Sequence, residues 1–413
     1  MSRNNRIKSN RTKTAIGMAS FYLISLALVL VFAGVAASEE HGNDQAKKDI
    51  TENFSICDGD LKTVKDGFGE NVSLCMPIER IVSPWCTNNE LLKVIGASDK
   101  IVAVDSSMTG VSTDLFPEFQ DLPDCGSWVE PDFETILSLK PDLYIPWTQI
   151  PARLSVNTTG ASLYGIQRKR FLEEQLPGVS ILCIDNNEYL GGENFLNETR
   201  MLGEVLDRQE KANEFIDFYT DCMAPIIEGT KILSENEKPR VWITSLFSTG
   251  GKVTTQPRAY PMFEPVDLAG GDNIASELPG DGRQVDIEWI IKQNPEYIFI
   301  QIWAAGNKKS PYDSDYPLSI AKEQVEEILK MPQLAQVDAV KNKRVYVIQY
   351  SHFTKGPSRA IATAYLAKLL HPESFTSLDP IKMHQEYVDR FLKINFNVTE
   401  NRANFIYPYL EVL

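Results

Sequence analysis

The sequence predicts an α/β protein of two lobes with mainly parallel sheets, joined by a long rigid helix. Three observations support this fold class. The chain has 413 residues, more than one hydrophobic core usually holds. Short apolar strands alternate with helical patterns in both halves, which is typical of parallel sheets covered by helices. The stretch VEPDFETILSLKPDLYIPW, residues 129–147, recurs in weaker form as QVDIEWIIKQNPEYIFIQIW, residues 284–303.

The first half begins with a hairpin and continues as strand, helix, strand. Residues 63–74 predict a hairpin around an Asp66-Gly67 turn. A helix over 88–96 is expected to begin at an Asn88 cap and to end at Gly96. Further strands are predicted at 80–84, 101–105, 142–147 and 180–185, and further helices at 133–139 and 166–175.

The second half repeats the rhythm after a helical spine. Residues 193–236 have apolar positions spaced by three and four, with no intervening strand. Strands follow at 240–247 and 344–350, and helices over 357–375 and 382–394 are expected to pack on the second sheet. This arrangement predicts two Rossmann-like lobes with a ligand cleft between them. The chain is predicted to divide into a signal peptide or membrane anchor at 1–37, a polar tether at 38–62, an N-terminal α/β lobe at 63–206, a connecting helix at 207–237 and a C-terminal α/β lobe at 238–413.

The N-terminal segment differs from the rest of the chain. Five basic residues precede residues 15–37, a run of 23 residues without a charge. This pattern predicts an export signal or an uncleaved membrane anchor, and cleavage after Val35-Ala36-Ala37 stays open. Residues 38–62 are then a polar tether, and the lobes lie outside the cytoplasm.

Composition excludes several classes of function. The net charge of −15 and the lack of a basic cluster after residue 13 argue against nucleic-acid binding. The sequence has no nucleophile elbow, zinc-protease or phosphate-loop motif, so we expect no enzyme. With four histidines, a site for a bare metal ion or a resident metal cofactor is not expected. A non-transport surface protein is an alternative, because five glycosylation sequons accompany the apolar segment.

Six segments of the sequence resemble the class III periplasmic solute-binding proteins. They are RIVSP, NELLKVIG, GSWVEPDFETILSLKPDLYIPW, LAGGDNIA, VDIEWIIKQNPEYIFI and VKNKRVYVI. The resemblance covers residues 63 to about 375. It implies capture of a small-molecule metal chelate of the iron-siderophore type and its delivery to an ABC permease dimer driven by an ATPase. Corrinoid (cobalamin) or haem binding is the alternative within the family. A monomer is expected.

The resemblance also gives the repeated motif a role. One glutamate per lobe, Glu134 and Glu288 here, would contact arginines of the permease dimer. Read locally, the same glutamates are only first-turn acids that complement a helix dipole. Corrinoid-binding relatives often have an aromatic residue six positions before each docking acid; Trp128 fits, but Gly282 does not, which weakens cobalamin as the ligand.

Aromatic and basic residues in loops after strands are the candidate ligand contacts. Flat apolar ligands suit aromatic walls, and arginines bind anionic chelates by charge-assisted hydrogen bonds. The alternative is that the rings fill lobe cores and that each arginine is a solvated surface residue. The candidates are Trp85, Trp128, Trp147, Arg258, Arg283, Trp303, His352 and Phe353, with Arg153 and Arg168 as further arginines.

Six cysteines permit disulfides in an exported protein. Cys57 with Cys75 and Cys86 with Cys125 are possible pairs. Buried free thiols are the alternative for each, and spacing does not decide between them.

Overall fold

The computed structural model describes residues 57–105, 108, 112–147, 165–184, 193–245, 252–256, 263–278, 283–302 and 309–409. The predicted signal or anchor and most of the predicted tether lie outside these ranges. Residues 59–413 form one compact unit, and the fold below is theirs. None of the helices in the described ranges has the length and hydrophobicity needed to cross a membrane.

The described residues contain short strands in both halves. These are β1 Asp60–Lys65, β2 Asn71–Met76, β3 Ile81–Ser83, β4 Ile101–Val104, β5 Leu143–Tyr144, β6 Ser180–Ile181, β7 Arg240–Thr244, β8 Lys252–Thr255, β9 Asp272–Asn273, β10 Arg283–Asp286, β11 Tyr297–Ile302, β12 Val345–Gln349 and β13 Ile406–Tyr407.

Helices alternate with these strands. They are α1 Cys86–Val94, α2 Phe133–Ser138, α3 Gly165–Gln175, α4 Glu193–Val205, α5 Gln209–Lys231, α6 Phe263–Leu268, α7 Ile287–Gln293, α8 Leu318–Lys330, α9 Asp338–Lys341, α10 Arg359–Leu370, α11 Pro380–Tyr387 and α12 Val398–Asn401. A π-helical turn, Val388–Leu392, continues α11.

Two mainly parallel sheets confirm the predicted fold class. The first has strand order β4-β3-β5-β6, and all of its pairs are parallel. The second has order β13-β12-β11-β7-β9, in which only the edge strand β13 runs antiparallel. The predicted hairpin is β1-β2, and Oδ1 of Asp66 accepts the amides of Phe68 and Glu70 in its turn.

The repeated motif performs the same structural task in each half. Oδ2 of Asp142 accepts the amide of Arg80 at 2.9 Å, just before β3. Oε1 of Glu296 accepts the amide of Arg240 at 3.2 Å, at the start of β7. The acid that follows each motif helix therefore fixes the entry of the neighbouring parallel strand, which explains why an acid recurs there.

The helical pattern at 193–236 forms two helices, α4 and α5, and the helix predicted to connect the lobes over 207–237 corresponds to α5. Asp207, between α4 and α5, has a φ of 56°, and the Arg208 amide donates to the carbonyl of Gly203 at 2.7 Å. A Cβ at Gly203 would lie 2.4 Å from Cβ of Ala212, so the two helices approach each other closely here. Apolar spacing continues through such a turn, and the sequence pattern therefore did not show it.

Helix α1 also begins two residues earlier than predicted. Its N-cap is Trp85, with no side-chain cap in the described structure. Asn88 is not the cap; its side chain is buried and donates to the carbonyls of Ile145 and Pro146. This shift places Cys86 in the first turn of α1.

The C-terminal helices contact both halves. Tyr297 of β11 donates its hydroxyl to the carbonyl of Leu369 in α10, a contact with the second sheet that was predicted. Tyr387 of α11 donates its hydroxyl to Glu90 of α1 at 2.6 Å. The C-terminal region therefore also holds the first half.

Candidate functional site

Three tryptophans from separate loops of the first half form one cluster. The ring centroids of Trp128 and Trp147 lie 4.3 Å apart, and Trp85 lies 5.3 Å from Trp147 and 5.9 Å from Trp128. All three side chains are partly exposed. We call this set the tryptophan cluster.

The first sheet positions these rings. Trp85 and Trp147 follow the carboxyl ends of β3 and β5, which are parallel neighbours. Two hydrogen bonds fix the backbone of Trp128. Its amide donates to the carboxylate of Asp105 at 3.0 Å, and its carbonyl accepts from the guanidinium of Arg168 at 2.6 Å. The carboxyl edge of a parallel sheet is where ligands of such folds bind.

A lysine from the second half lies against this cluster. Nζ of Lys355 is 4.5 Å from the ring centroid of Trp85 and 4.3 Å from that of Tyr350. The lysine is only 2% exposed. Desolvation lowers its pKa to about 8, although the nearby charges of Cys86 and Glu90 oppose this shift. At neutral pH the site therefore carries a buried cation beside aromatic rings.

Behind Trp85, the carboxylate of Glu90 and the imidazole of His352 form a buried pair close to the Cys86 thiol. Nδ1 of His352 lies 2.8 Å from Oε2 of Glu90, and Sγ of Cys86 lies 3.9 Å from the hydroxyl of Thr87. Burial disfavours the charged imidazole, but the interactions with Cys86 and Glu90 outweigh it and raise the His352 pKa to about 10. Burial likewise opposes ionisation of Cys86, yet His352 and then Lys355 lower the pKa of its thiol.

The cysteines divide into two states. Cys57 and Cys75 are disulfide-bonded. Cys86, Cys125, Cys183 and Cys222 are free thiols, so the possible Cys86–Cys125 disulfide does not form. Cys86 is the partly exposed member of the free set.

The remaining sequence candidates are distributed differently. Arg168 is buried and braces Trp128 through its backbone. Phe353 is fully buried among Tyr365, His384 and Phe405, so the structure places it in the aromatic core. Arg283 begins β10, and its backbone pairs with Thr255. Arg153, Arg258 and Trp303 lie outside the described residues.

The two candidate docking acids occupy equivalent exposed positions. Glu134 is in the first turn of α2, and Glu288 is in the first turn of α7. Both side chains are exposed. Asp132 caps α2 by accepting the Thr135 amide at 3.0 Å, whereas the side chain of Asp286 makes no such bond.

Sequence reasoning missed Glu90, Lys355 and the role of Cys86. Glu90 is fully buried, although its surroundings in the sequence, NNELLK, are those of an exposed helix start. Its partner His352 is 262 positions away. One sequence feature could have located Lys355: it lies three positions after His352 in the loop that follows a strand. This spacing indicates two basic side chains at one edge of the sheet.

Metal binding by the protein alone has no complete ligand set in the described ranges. There, no group of three or more histidine, cysteine or acidic side chains could hold an ion.

Comparison with known proteins agrees with the architecture. The family model described as periplasmic binding protein matches residues 81–350. An uncharacterized ABC transporter substrate-binding lipoprotein, YvrC of Bacillus subtilis, is 23% identical over 86% of this chain and 96% of its own. The petrobactin-binding protein YclQ of the same species is 23% identical over 72% of this chain and 84% of its own.

A solved structure gives the same fold. The molybdate-bound periplasmic binding protein MolA of Haemophilus influenzae superposes with a TM-score of 0.62 at 17% identity, covering 81% of this chain and 99% of its own. The two lobes predicted from the sequence are those of this class, and proteins of this class bind and deliver substrates without catalysing a reaction. The chain belongs to the periplasmic binding protein family, class III, and is an extracytoplasmic substrate-binding protein of an ABC transporter.

Proposed function

We propose that this protein captures an iron chelate of the siderophore type at the tryptophan cluster and delivers it to an ABC permease. The observation that carries the proposal is the contact between two halves of the chain at one site: Trp85 comes from the first half, and Lys355, 4.5 Å from its ring, comes from the second. A ligand bound there would touch both lobes.

The chemistry of the site favours an anionic, aromatic-faced ligand. Three partly exposed indoles offer flat apolar surface. Lys355 adds a positive charge in a place with little water, where an anion gains more from the contact than it would at an exposed surface. Catecholate and carboxylate chelates of ferric iron combine negative charge with a compact organic shell, and they suit this combination.

Delivery uses the two exposed acids. Glu134 and Glu288 occupy the same position in the two copies of the repeated motif. Two similar lobes that meet two identical permease subunits need one matching charge each, and a symmetric membrane partner therefore explains why the exposed acid is duplicated. The ATPase bound to that permease supplies the energy for import.

Haem is a weaker candidate than a siderophore. Nδ1 of His352 lies 2.8 Å from Oε2 of Glu90, and the side chain is only 3% exposed, so the imidazole offers little surface to a haem iron. A corrinoid stays the alternative for the aromatic wall, and the experiment below separates the two.

Export completes the proposal. Residues 15–37 would direct the chain across the membrane and, if uncleaved, hold the monomeric protein at its outer surface. Mass measurement of the N-terminus after fractionation of the membrane decides between cleavage and anchoring.

The test is a calorimetric titration of the purified protein, repeated by tryptophan fluorescence, with three probes: ferric tris-catecholate, ferric citrate and cyanocobalamin. We expect a ferric chelate to bind in the micromolar range or tighter, with quenching of fluorescence. Binding of cyanocobalamin alone, or of none of the three, would overturn the iron-chelate proposal.

A further inference from the structure

The two copies of the repeated motif expose an apolar side chain at the same place. Leu137 of α2 and Ile291 of α7 are 154 positions apart, as are Glu134 and Glu288. Leu137 is 38% exposed and Ile291 is 37% exposed, and they are two of the five large apolar side chains that are exposed in the described ranges. Single exposed apolar residues are ordinary, but a pair at equivalent positions of a repeat asks for a common cause.

Each motif helix lies on its sheet in the same orientation. Ile136 and Ile290, which occupy equivalent positions, are both fully buried. Each segment also ends in a left-handed residue, Lys140 with a φ of 49° and Asn294 with a φ of 44°. The backbone and the burial pattern therefore repeat together with the sequence, and the outward face of α2 corresponds to the outward face of α7.

On each outward face an acid and an apolar residue are neighbours. Residues three positions apart adjoin each other on a helix surface, which pairs Glu134 with Leu137 and Glu288 with Ile291. All four side chains are exposed. We call each acid with its apolar neighbour a docking pair.

Other positions of the two helices have different chemistry in the two copies. The exposed Ser138 corresponds to the exposed Lys292, and Thr135 corresponds to Trp289. Both docking pairs nevertheless keep an acid and a branched aliphatic side chain. The fold does not require an aliphatic residue there, because contact of apolar surface with water is unfavourable. A partner that contacts both halves in the same way explains the repetition.

Charge decides between the possible partners. Each exposed apolar residue lies next to a carboxylate, and the chain has a net charge of −15. A second copy of this chain, or a membrane surface of anionic lipid, would bring like charges together at both docking pairs. A protein with a basic side chain beside an apolar pocket matches a docking pair, and a dimer of identical subunits supplies two such sites.

We propose that Leu137 and Ile291 are apolar anchors for the permease dimer, each entering an apolar pocket on one subunit beside the basic group that contacts the neighbouring glutamate. This inference rests on the proposed function and extends its docking surface. An exposed ion pair contributes little and is screened by salt, whereas the burial of a large apolar side chain is not screened. The acids would therefore steer and orient the encounter, and the anchors would set the lifetime of the docked complex.

The test measures docking of the full chain directly. The chain is immobilised on a sensor, and nanodiscs that hold the cognate permease and its ATPase are passed over it, with and without ferric tris-catecholate. Empty nanodiscs of the same lipid are the reference. We expect Leu137→Ser with Ile291→Ser to dissociate at least about ten times faster than the unaltered protein, at low and at high salt. The matched control is Leu61→Ser with Ile232→Ser, at side chains that are 56% and 82% exposed outside the motif, and it should dissociate like the unaltered protein.

The single variants test the twofold arrangement, since Leu137→Ser and Ile291→Ser should each speed dissociation. The inference is overturned if the anchor double variant dissociates no faster than the unaltered protein, if the control double variant dissociates equally fast, or if only one anchor matters. It is also overturned if loss of the anchors weakens attachment to empty nanodiscs as much.

The cargo and the docking surface fail separately. Docking that depends on both anchors, in a protein that binds no ferric chelate, would refute the iron-chelate proposal alone. Chelate binding with docking that is insensitive to both anchors would refute this inference alone. No docking of the unaltered protein in either condition would refute the proposed delivery and this inference with it.

Discussion

Nδ1 of His352 and Oε2 of Glu90 lie 2.8 Å apart, although 262 positions separate them in the chain. Both side chains are buried, at 3% and 0% exposure. This ion pair connects α1 of the first half to the loop after β12 of the second, and it forms one boundary of the candidate site. Its strength therefore affects both the stability of the fold and the geometry of the site.

Breaking this pair should destabilise the protein strongly. We expect Glu90→Gln to lower the free energy of unfolding by about 3–5 kcal/mol, because the His352 charge would stay buried without its carboxylate. Urea unfolding followed by circular dichroism measures this. The matched control is Glu326→Gln, which breaks an exposed i,i+4 pair with Lys330 and should cost less than about 1 kcal/mol. Equal effects of the two variants would show that the buried pair contributes little.

Cys86 should be the reactive thiol of the protein. Its pKa is lowered by His352 and Lys355 despite burial, and the thiolate is the nucleophilic form. Burial, with nearby acids, raises the pKa values of Cys125 and Cys222 to about 12. At neutral pH we expect iodoacetamide to label Cys86 at least about tenfold faster than either. Peptide mass spectrometry over time checks this, and similar rates at all three positions would contradict the assigned charge state.

The tryptophan cluster should dominate ligand affinity. We expect Trp128→Ala to weaken binding of ferric tris-catecholate by more than about 1 kcal/mol, since it removes one ring of the closest pair in the cluster, 4.3 Å from Trp147. Trp242→Phe is the control, because Trp242 is fully buried in β7 and its Nε1 donates to the carbonyl of Thr254. That change should lower stability and leave affinity intact. Calorimetry on the folded variants gives both numbers, and unchanged affinity in Trp128→Ala would remove the cluster from the binding site.

Affinity for an anionic chelate should fall as the pH rises through about 8. The pKa of Lys355 is lowered to about 8, so the lysine is charged below that pH and neutral above it. The charged groups near it are Cys86, Glu90 and His352. Lys355→Arg isolates the lysine, because an arginine stays protonated throughout. Titrations with ferric tris-catecholate from pH 7 to 9 should show the decline in the unaltered protein and a flatter profile in Lys355→Arg. Parallel profiles would exclude Lys355 as the cause.

The two docking acids should matter for transport and not for binding. We expect the double variant Glu134→Lys, Glu288→Lys to reduce uptake by more than about a hundredfold, because like charges facing each other cost several kcal/mol. Its affinity for the chelate should be unchanged. The control is Glu174→Lys with Glu373→Lys, one exposed acid from each half outside the repeated motif. Uptake assays in cells that express the cognate permease measure the effect, and equal uptake by both double variants would refute the docking role.

Periodicity and the internal repeat were sufficient to predict most of the architecture. Parallel strands buried on both faces appear as short apolar runs, and β3, β7, β11 and β12 were located in this way. Where the prediction was wrong, a local backbone event decided the structure. Asp207, in a left-handed conformation, separates α4 from α5, and α1 begins at Cys86 after an N-cap residue, Trp85, that makes no side-chain cap hydrogen bond.

The site was predictable only in part, and the reason is physical. The tryptophans could be found because each follows a strand, and strand ends of one parallel sheet meet at one edge. The pairing of Glu90 with His352 depends on how the two halves close on each other, which no local pattern encodes. Phe353 shows the opposite error: it follows a strand as the tryptophans do, yet it points into the aromatic core around His384.

The central claim is that an anionic metal chelate binds between the tryptophan cluster and Lys355. A crystal structure of the protein grown with ferric tris-catecholate tests it most directly. We predict electron density for the iron complex against Trp85, Trp128 and Trp147, with Nζ of Lys355 in contact with a ligand oxygen. Density for the complex at another surface of the protein, with no contact to the tryptophan cluster, would contradict the account.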